Sequence, residues 1–210
     1  MTAHTPLVHR IWAPVLAALM LGLFGTPMAQ AAPLGETETK EILSRITDGT
    51  WTQQDLELLK QRAPQVAAQI ANPDEVLETH LAVSVTSRTL VPLATPTKCR
   101  SVEKTYLKKT LLGFTAYKWY HFSEYCWSAG KITSWQQNRD RTSDVNAAFS
   151  VEGIVERYTS SVNRRSSFAY IQRKITNCVA KYGCIATFHP WSRTTADGIT
   201  GKDSEQGSAG

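Results

Sequence analysis

Beyond residue 24 the 210-residue chain has no apolar run approaching the length of a membrane-spanning helix, which takes about 20 residues. Gly-x-Ser-x-Gly is absent, so the nucleophile elbow of an α/β-hydrolase is not written here. Histidine is scarce: past the N-terminal region only His80, His121 and His189 remain, far apart in sequence and with no local pattern joining them to a serine and an acid. Cysteine is limited to Cys99, Cys126, Cys178 and Cys184. The closest two have five residues between them, outside the spacing of common zinc motifs. Cationic residues form no dense run; Lys108-Lys109, Arg139 with Arg141, Arg164-Arg165 and Arg173-Lys174 are scattered pairs, so nucleic acid is not an expected partner. Glu103, Glu124, Glu152 and Glu156 read as solvent-facing strand residues, not as the paired acids of a glycosidase cleft. No metal, cofactor or catalytic residue is therefore assigned.

At the N-terminus, Arg10 precedes Ile11 to Phe24, an apolar run interrupted only by Pro14 and Gly22. Gly25 and Pro27 break it, and Ala29-Gln30-Ala31 offers small residues where a signal peptidase cuts. Residues 1–31 are predicted to be a signal peptide, with the mature, secreted chain starting at Ala32. An even cysteine count behind such a signal implies two disulfides. Cys178 and Cys184 flank a short hairpin loop, Val179 to Gly183, where opposed strand residues come within about 4.5–5.5 Å. That pairs Cys178 with Cys184 and leaves Cys99 for Cys126.

Charge and hydrophobic period divide the mature chain. From Ala32 to Thr95 there are five Lys/Arg against nine Asp/Glu; from Pro96 to Gly210, seventeen against nine. The acidic part, 32–95, reads as helical. Ile42, Leu43 and Ile46 mark one apolar face, and Leu56, Leu58 and Leu59 another. Thr52 with Asp55 three residues on forms a capping box, and Pro64 suits the first position of a third helix carrying Val66, Ala67 and Ile70. Helices this short are marginal alone, so they are expected to dock on the remainder through Leu56 and Leu59. From Pro96 to Ala196, aromatic and β-branched residues with recurrent turn signals predict seven strands near 99–106, 112–122, 125–128, 131–137, 147–157, 168–178 and 184–195. The fold class is mainly β: an antiparallel, disulfide-bonded sandwich or small barrel preceded by a short helical segment. The glycine-bearing stretch 197–210 reads as a disordered tail.

The blocks Leu111-Leu112-Gly113-Phe114-Thr115-Ala116-Tyr117-Lys118-Trp119, Tyr125-Cys126-Trp127 and Cys178-Val179-Ala180-Lys181-Tyr182-Gly183-Cys184, followed by Pro190-Trp191, resemble a pattern in small exported proteins of actinobacterial type. The resemblance covers roughly the second half of the chain. It implies secretion and a β-rich domain and carries no catalytic residue.

The aromatic cluster is the most suggestive feature. Six rings fall between Tyr117 and Trp127. Strand alternation puts Tyr117 and Trp119 on one face, and Tyr120 and Phe122 on the other. One set fills the core; the other is covered by the helices or left open as a surface. Tyr117, Trp119, Tyr120, Trp127 and Trp191 are the candidate binding residues. The function expected is non-enzymatic surface binding at or near the cell envelope, to a polyanion, glycan or protein. The alternative is an extracellular hydrolase or an effector acting on other cells.

Overall fold

The computed structural model describes residues 32–75, 78–88 and 97–208. The expected signal peptide lies outside them. Three helices come first: α1 (Glu36–Thr47), α2 (Gln53–Arg62) and α3 (Pro64–Ala67). Thr52 and Asp55 form the capping box that starts α2, through Thr52 N–H to Asp55 Oδ2 at 2.9 Å and Asp55 N–H to Thr52 Oγ1 at 3.2 Å. Pro64 opens α3, where its missing N–H is not needed. Ile42, Leu43, Leu56, Leu59 and Ile70 are buried against Leu111, Val179 and Ile185. The helices therefore cap one end of the β structure, as the apolar faces require.

Nine strands follow: β1 (Glu78–Arg88), β2 (Thr97–Lys109), β3 (Thr115–Ser128), β4 (Lys131–Ser143), β5 (Phe149–Thr159), β6 (Ser166–Val179), β7 (Gly183–Phe188), β8 (Trp191–Asp197) and β9 (Asp203–Ser208). They form two antiparallel sheets. The first has the order β1-β2-β3-β4; the second runs β5-β6-β8-β9, with β7 also paired to β6. Side chains of the two sheets meet across their facing surfaces, as in Ser123 Oγ to Thr194 Oγ1 at 2.8 Å and Trp135 Nε1 to Ser167 Oγ at 2.8 Å. Cys99–Cys126 staples β2 to β3 and Cys178–Cys184 staples β6 to β7. Both expected pairings are present. The two bonds consume all four cysteines, the state of a protein folded outside the reducing cytoplasm.

Several expectations need correction. The segment 32–95 is not wholly helical, because Glu78–Arg88 forms β1 along β2. The strands expected at 112–122 and 125–128 are one strand, β3, whose register slips by bulges near Tyr125 and Trp127 instead of breaking. The single strand expected at 184–195 is two, β7 and β8, laid end to end along β6; Pro190 sits at the break and gives its carbonyl to the Arg173 N–H at 3.0 Å. In β5 the apolar alternation holds only to Val151, after which bulges leave Ile154 and Val155 exposed.

The expected disordered tail contains β9, hydrogen-bonded to β8 from Asp203 to Ser208. Its glycines serve close approach. A Cβ on Gly207 would overlap Tyr106 Oη and lie 2.6 Å from the Trp191 carbonyl; one on Gly201, already at φ +63°, would enter the Trp127 ring. Gly207→Ala is expected to destabilise the protein by about 1–3 kcal/mol and to unzip β9 first. Hydrogen exchange would show Ser204–Ser208 amides losing protection before those of β6; unchanged protection in β9 would contradict the packing argument.

Candidate functional site

The interior of the sandwich is not uniformly apolar. His121 on β3 is buried, with Nδ1 2.8 Å from Ser192 Oγ on β8 and Nε2 3.0 Å from Asn138 Oδ1 on β4. Asn138 in turn donates to the carbonyls of Tyr158 and Tyr170 at 3.0 and 3.1 Å. Burial holds the His121 imidazole down at about 4, against the opposing hydrogen bond that Nε2–H donates to Asn138 Oδ1, so the ring is neutral. A Ser-His-Asn row is the composition of a nucleophilic site, but Ser192 and His121 are sealed between the sheets. No substrate carbonyl reaches the serine, and the row acts as a hydrogen-bonded tie between layers.

Of the five residues expected to form a binding surface, two are core. Tyr117 and Trp119 occupy inward positions of β3 and are fully buried. Tyr117 packs edge-on against Phe149 at 5.8 Å, Trp119 lies 5.0 Å from Tyr106, and the Trp119 indole donates to Asp140 Oδ2 at 2.8 Å. Tyr120 points outward but is half-buried beneath the Arg141 guanidinium, 3.8 Å above its ring. Trp127 is half-buried against Tyr125 and Gly201. Trp191 alone joins a larger aromatic arrangement.

That arrangement lies on the outward face of the second sheet. Residues paired across strands share a face, and the register aligns Tyr158 on β5 with Tyr170 on β6 and Arg193 on β8, and Gln172 with Trp191. The rings form a continuous row. Phe168 lies 5.7 Å from Tyr158, Tyr158 5.2 Å from Tyr170, and Tyr170 stacks on Trp191 at 6.0 Å with 25° between planes. The Arg193 guanidinium carbon sits 3.8 Å above the Phe168 ring. Tyr158 is 42% exposed, and the other three rings are half-buried, each resting on its neighbour.

Polar neutral groups border the row. Ser204 and Gln206 on β9 are exposed and pair with Thr195 and Arg193. Charge on this face is nearly balanced: Lys174 Nζ is 2.9 Å from Glu152 Oε2, and Glu156 and Arg193 add one charge of each sign. Sequence reasoning missed Tyr158, Phe168, Tyr170 and Arg193. Their i, i+2 spacing along β6 and β8 was visible, but the cross-strand register that assembles them was not. Among the described residues no three His, Cys, Asp or Glu side chains converge as metal ligands, and no helix is long and apolar enough to cross a membrane. No protein-family model, curated protein or solved structure matches the chain.

Proposed function

We propose that this is an exported, non-enzymatic binding protein that holds a glycan of the cell envelope on the outer face of its five-stranded sheet. The four-ring row of Phe168, Tyr158, Tyr170 and Trp191 carries the reading. A sugar ring offers an apolar C–H face to an aromatic plane and hydroxyls at its rim. The face pairs rings with amide and hydroxyl groups from Gln172, Ser204 and Gln206, in keeping with that chemistry. The near balance of charge argues against a polyanion, whose capture needs an uncompensated basic field. Export is supported by Arg10, the Ile11–Phe24 run, Ala29-Gln30-Ala31 and the two disulfides.

Co-sedimentation of the mature protein with a panel of neutral and anionic envelope polysaccharides tests this. Trp191→Ala and Tyr158→Ala are each expected to weaken binding by about tenfold or more, the effect of removing an aromatic anchor. Tyr120→Ala, on the opposite sheet, is expected to leave it unchanged. Binding confined to anionic polymers and abolished by moderate salt would overturn the glycan reading. Full binding by the Trp191→Ala/Tyr158→Ala double variant would do the same.

A further inference from the structure

The edges of the two sheets are treated very differently. β4 ends the first sheet with Arg139, Asp140 and Arg141 and has register shifts against β3. β5 carries Glu152, Glu156 and Arg157 with two shifts. β9 is only six residues long and bears Asp203. Charge, bulges and shortness are the usual ways of stopping an edge from recruiting another strand.

β1 has none of them. It is eleven residues long, pairs with β2 through eleven consecutive positions without a shift, and has no proline and no Asp, Glu, Lys or Arg between Glu78 and Arg88. Its other side has no neighbour among the described residues. Leu81, Val83 and Val85 pair with Lys104, Val102 and Arg100, and so lie on the sheet's inward face. Yet they are 55%, 41% and 57% exposed. The second sheet ends too early to cover them: its last strand, β9, lies over β2, where Asp203 meets Arg100 and the Tyr106 hydroxyl reaches the Gln206 carbonyl.

We propose that β1 is a self-association edge: two copies pair β1 with β1 antiparallel about a two-fold axis at Val83, joining two four-stranded sheets into one. The sequence of the strand is self-complementary in that register. Val83 meets Val83, and Leu81 meets Val85 in both directions, so every apolar position faces another. A shift by one residue would set Val83 against Ala82 or Ser84 and break the apolar pairing. A strand edge that continues an existing sheet supplies backbone pairing, and the paired apolar floor adds burial. The interface is isologous, so association stops at the dimer.

Sedimentation equilibrium of the mature chain, across a concentration series reaching about 100 μM, is the first measurement, with a dissociation constant expected in the micromolar range. Val83→Lys and Val83→Glu each set like charges face to face on the axis and are expected to weaken dimerisation by about a hundredfold or more. Mixing the two variants is expected to restore a one-to-one heterodimer, because lysine then faces glutamate. Restoration also shows that both variants keep β1 folded. A wild-type chain that stays monomeric through the series overturns the proposal. So does dimerisation indifferent to either substitution, or failure of the mixture to associate.

Discussion

Replacing Asp140 with alanine is expected to remove about 3–5 kcal/mol of folding stability, the cost of leaving the other half of a buried ion pair uncompensated. Asp140 sits on β4 with only 2% of its side chain exposed. Arg173 on β6 grips it with two nitrogens, Nη2 at 2.8 Å from Oδ1 and Nε on Oδ2. The Trp119 indole donates to the same carboxylate at 2.8 Å, and Arg173 Nη1 reaches the Glu152 carbonyl at 2.7 Å. The carboxylate thus joins β3 and β4 of the first sheet to β6 of the second, and Arg173 extends the tie to β5. Burial pushes its carboxyl up, but the hydrogen bonds from Arg173 and Trp119 outweigh burial and hold it below the usual range. Alanine leaves a guanidinium and an indole N–H inside the protein without their acceptor. For a domain stabilised by about 5–15 kcal/mol in all, that loss is decisive. Urea unfolding with the disulfides intact measures it. Asp140→Ala/Arg173→Met is expected to recover part of the loss, since removing both charges is milder than orphaning one. A cost for Asp140→Ala below about 1 kcal/mol would mean that water or a rearranged partner satisfies Arg173.

None of that tie was legible beforehand, and the reason is general. Asp140 and Arg173 are far apart in sequence, and each reads as an ordinary charged strand residue. What could be read was local. The capping box at Thr52, Pro64 at the start of α3 and the apolar helix faces are decided within a few residues, and all appear. The disulfide pairing was legible because a hairpin puts Cys178 opposite Cys184. β1 is not expected from the sequence although Leu81, Val83 and Val85 alternate with the smaller Ala82 and Ser84. Its acidic, helix-bearing surroundings set the reading of the whole segment, and only β2 makes it a strand.

The tail failed for the opposite reason. Locally, Gly201 and Gly207 read as marks of flexibility, whereas each is glycine because an aromatic side chain occupies the place of its Cβ. The aromatic surface failed halfway. Alternation correctly separated Tyr117 and Trp119 from Tyr120 and Phe122, but it cannot tell which face looks inward. Here the inward face took the larger rings, and the outward Tyr120 and Phe122 lie under Arg141 and Arg139. The exposed row formed on the other sheet, from rings contributed by three strands.

Two buried titratable groups give the fold a pH profile with a definite shape. Glu205, on β9, has both carboxyl oxygens sealed from solvent. Burial raises its carboxyl to about 8; the Thr194 hydroxyl pulls it back, the Asp203 charge pushes it further up and Lys104 pulls it back. In the unfolded chain the same group ionises near 4.5. Its folded value is raised, so its contribution is full below about pH 4.5 and is lost as pH climbs towards 8. His121 runs the other way. Burial lowers it from 6.5 to about 4, with Asn138 and Asp140 opposing and Lys104 assisting. Its contribution is full above pH 6.5 and is lost as pH falls towards 4. Between about 4.5 and 6.5 the two slopes oppose each other, and from 6.5 to 8 only Glu205 acts. The wild-type protein is therefore expected to show a shallow profile in the acid window and a fall above it, on the order of 1–2 kcal/mol by pH 8. Glu205→Gln is expected to abolish that fall and to be more stable than wild type at pH 8. His121→Gln is expected to turn the shallow region into a continuous decline from pH 4.5 upward. Urea midpoints measured from pH 4 to 9 for the three proteins decide the matter. If Glu205→Gln leaves the decline between pH 6.5 and 8 in place, the carboxyl is already ionised in the folded protein and Lys104, not burial, governs its charge.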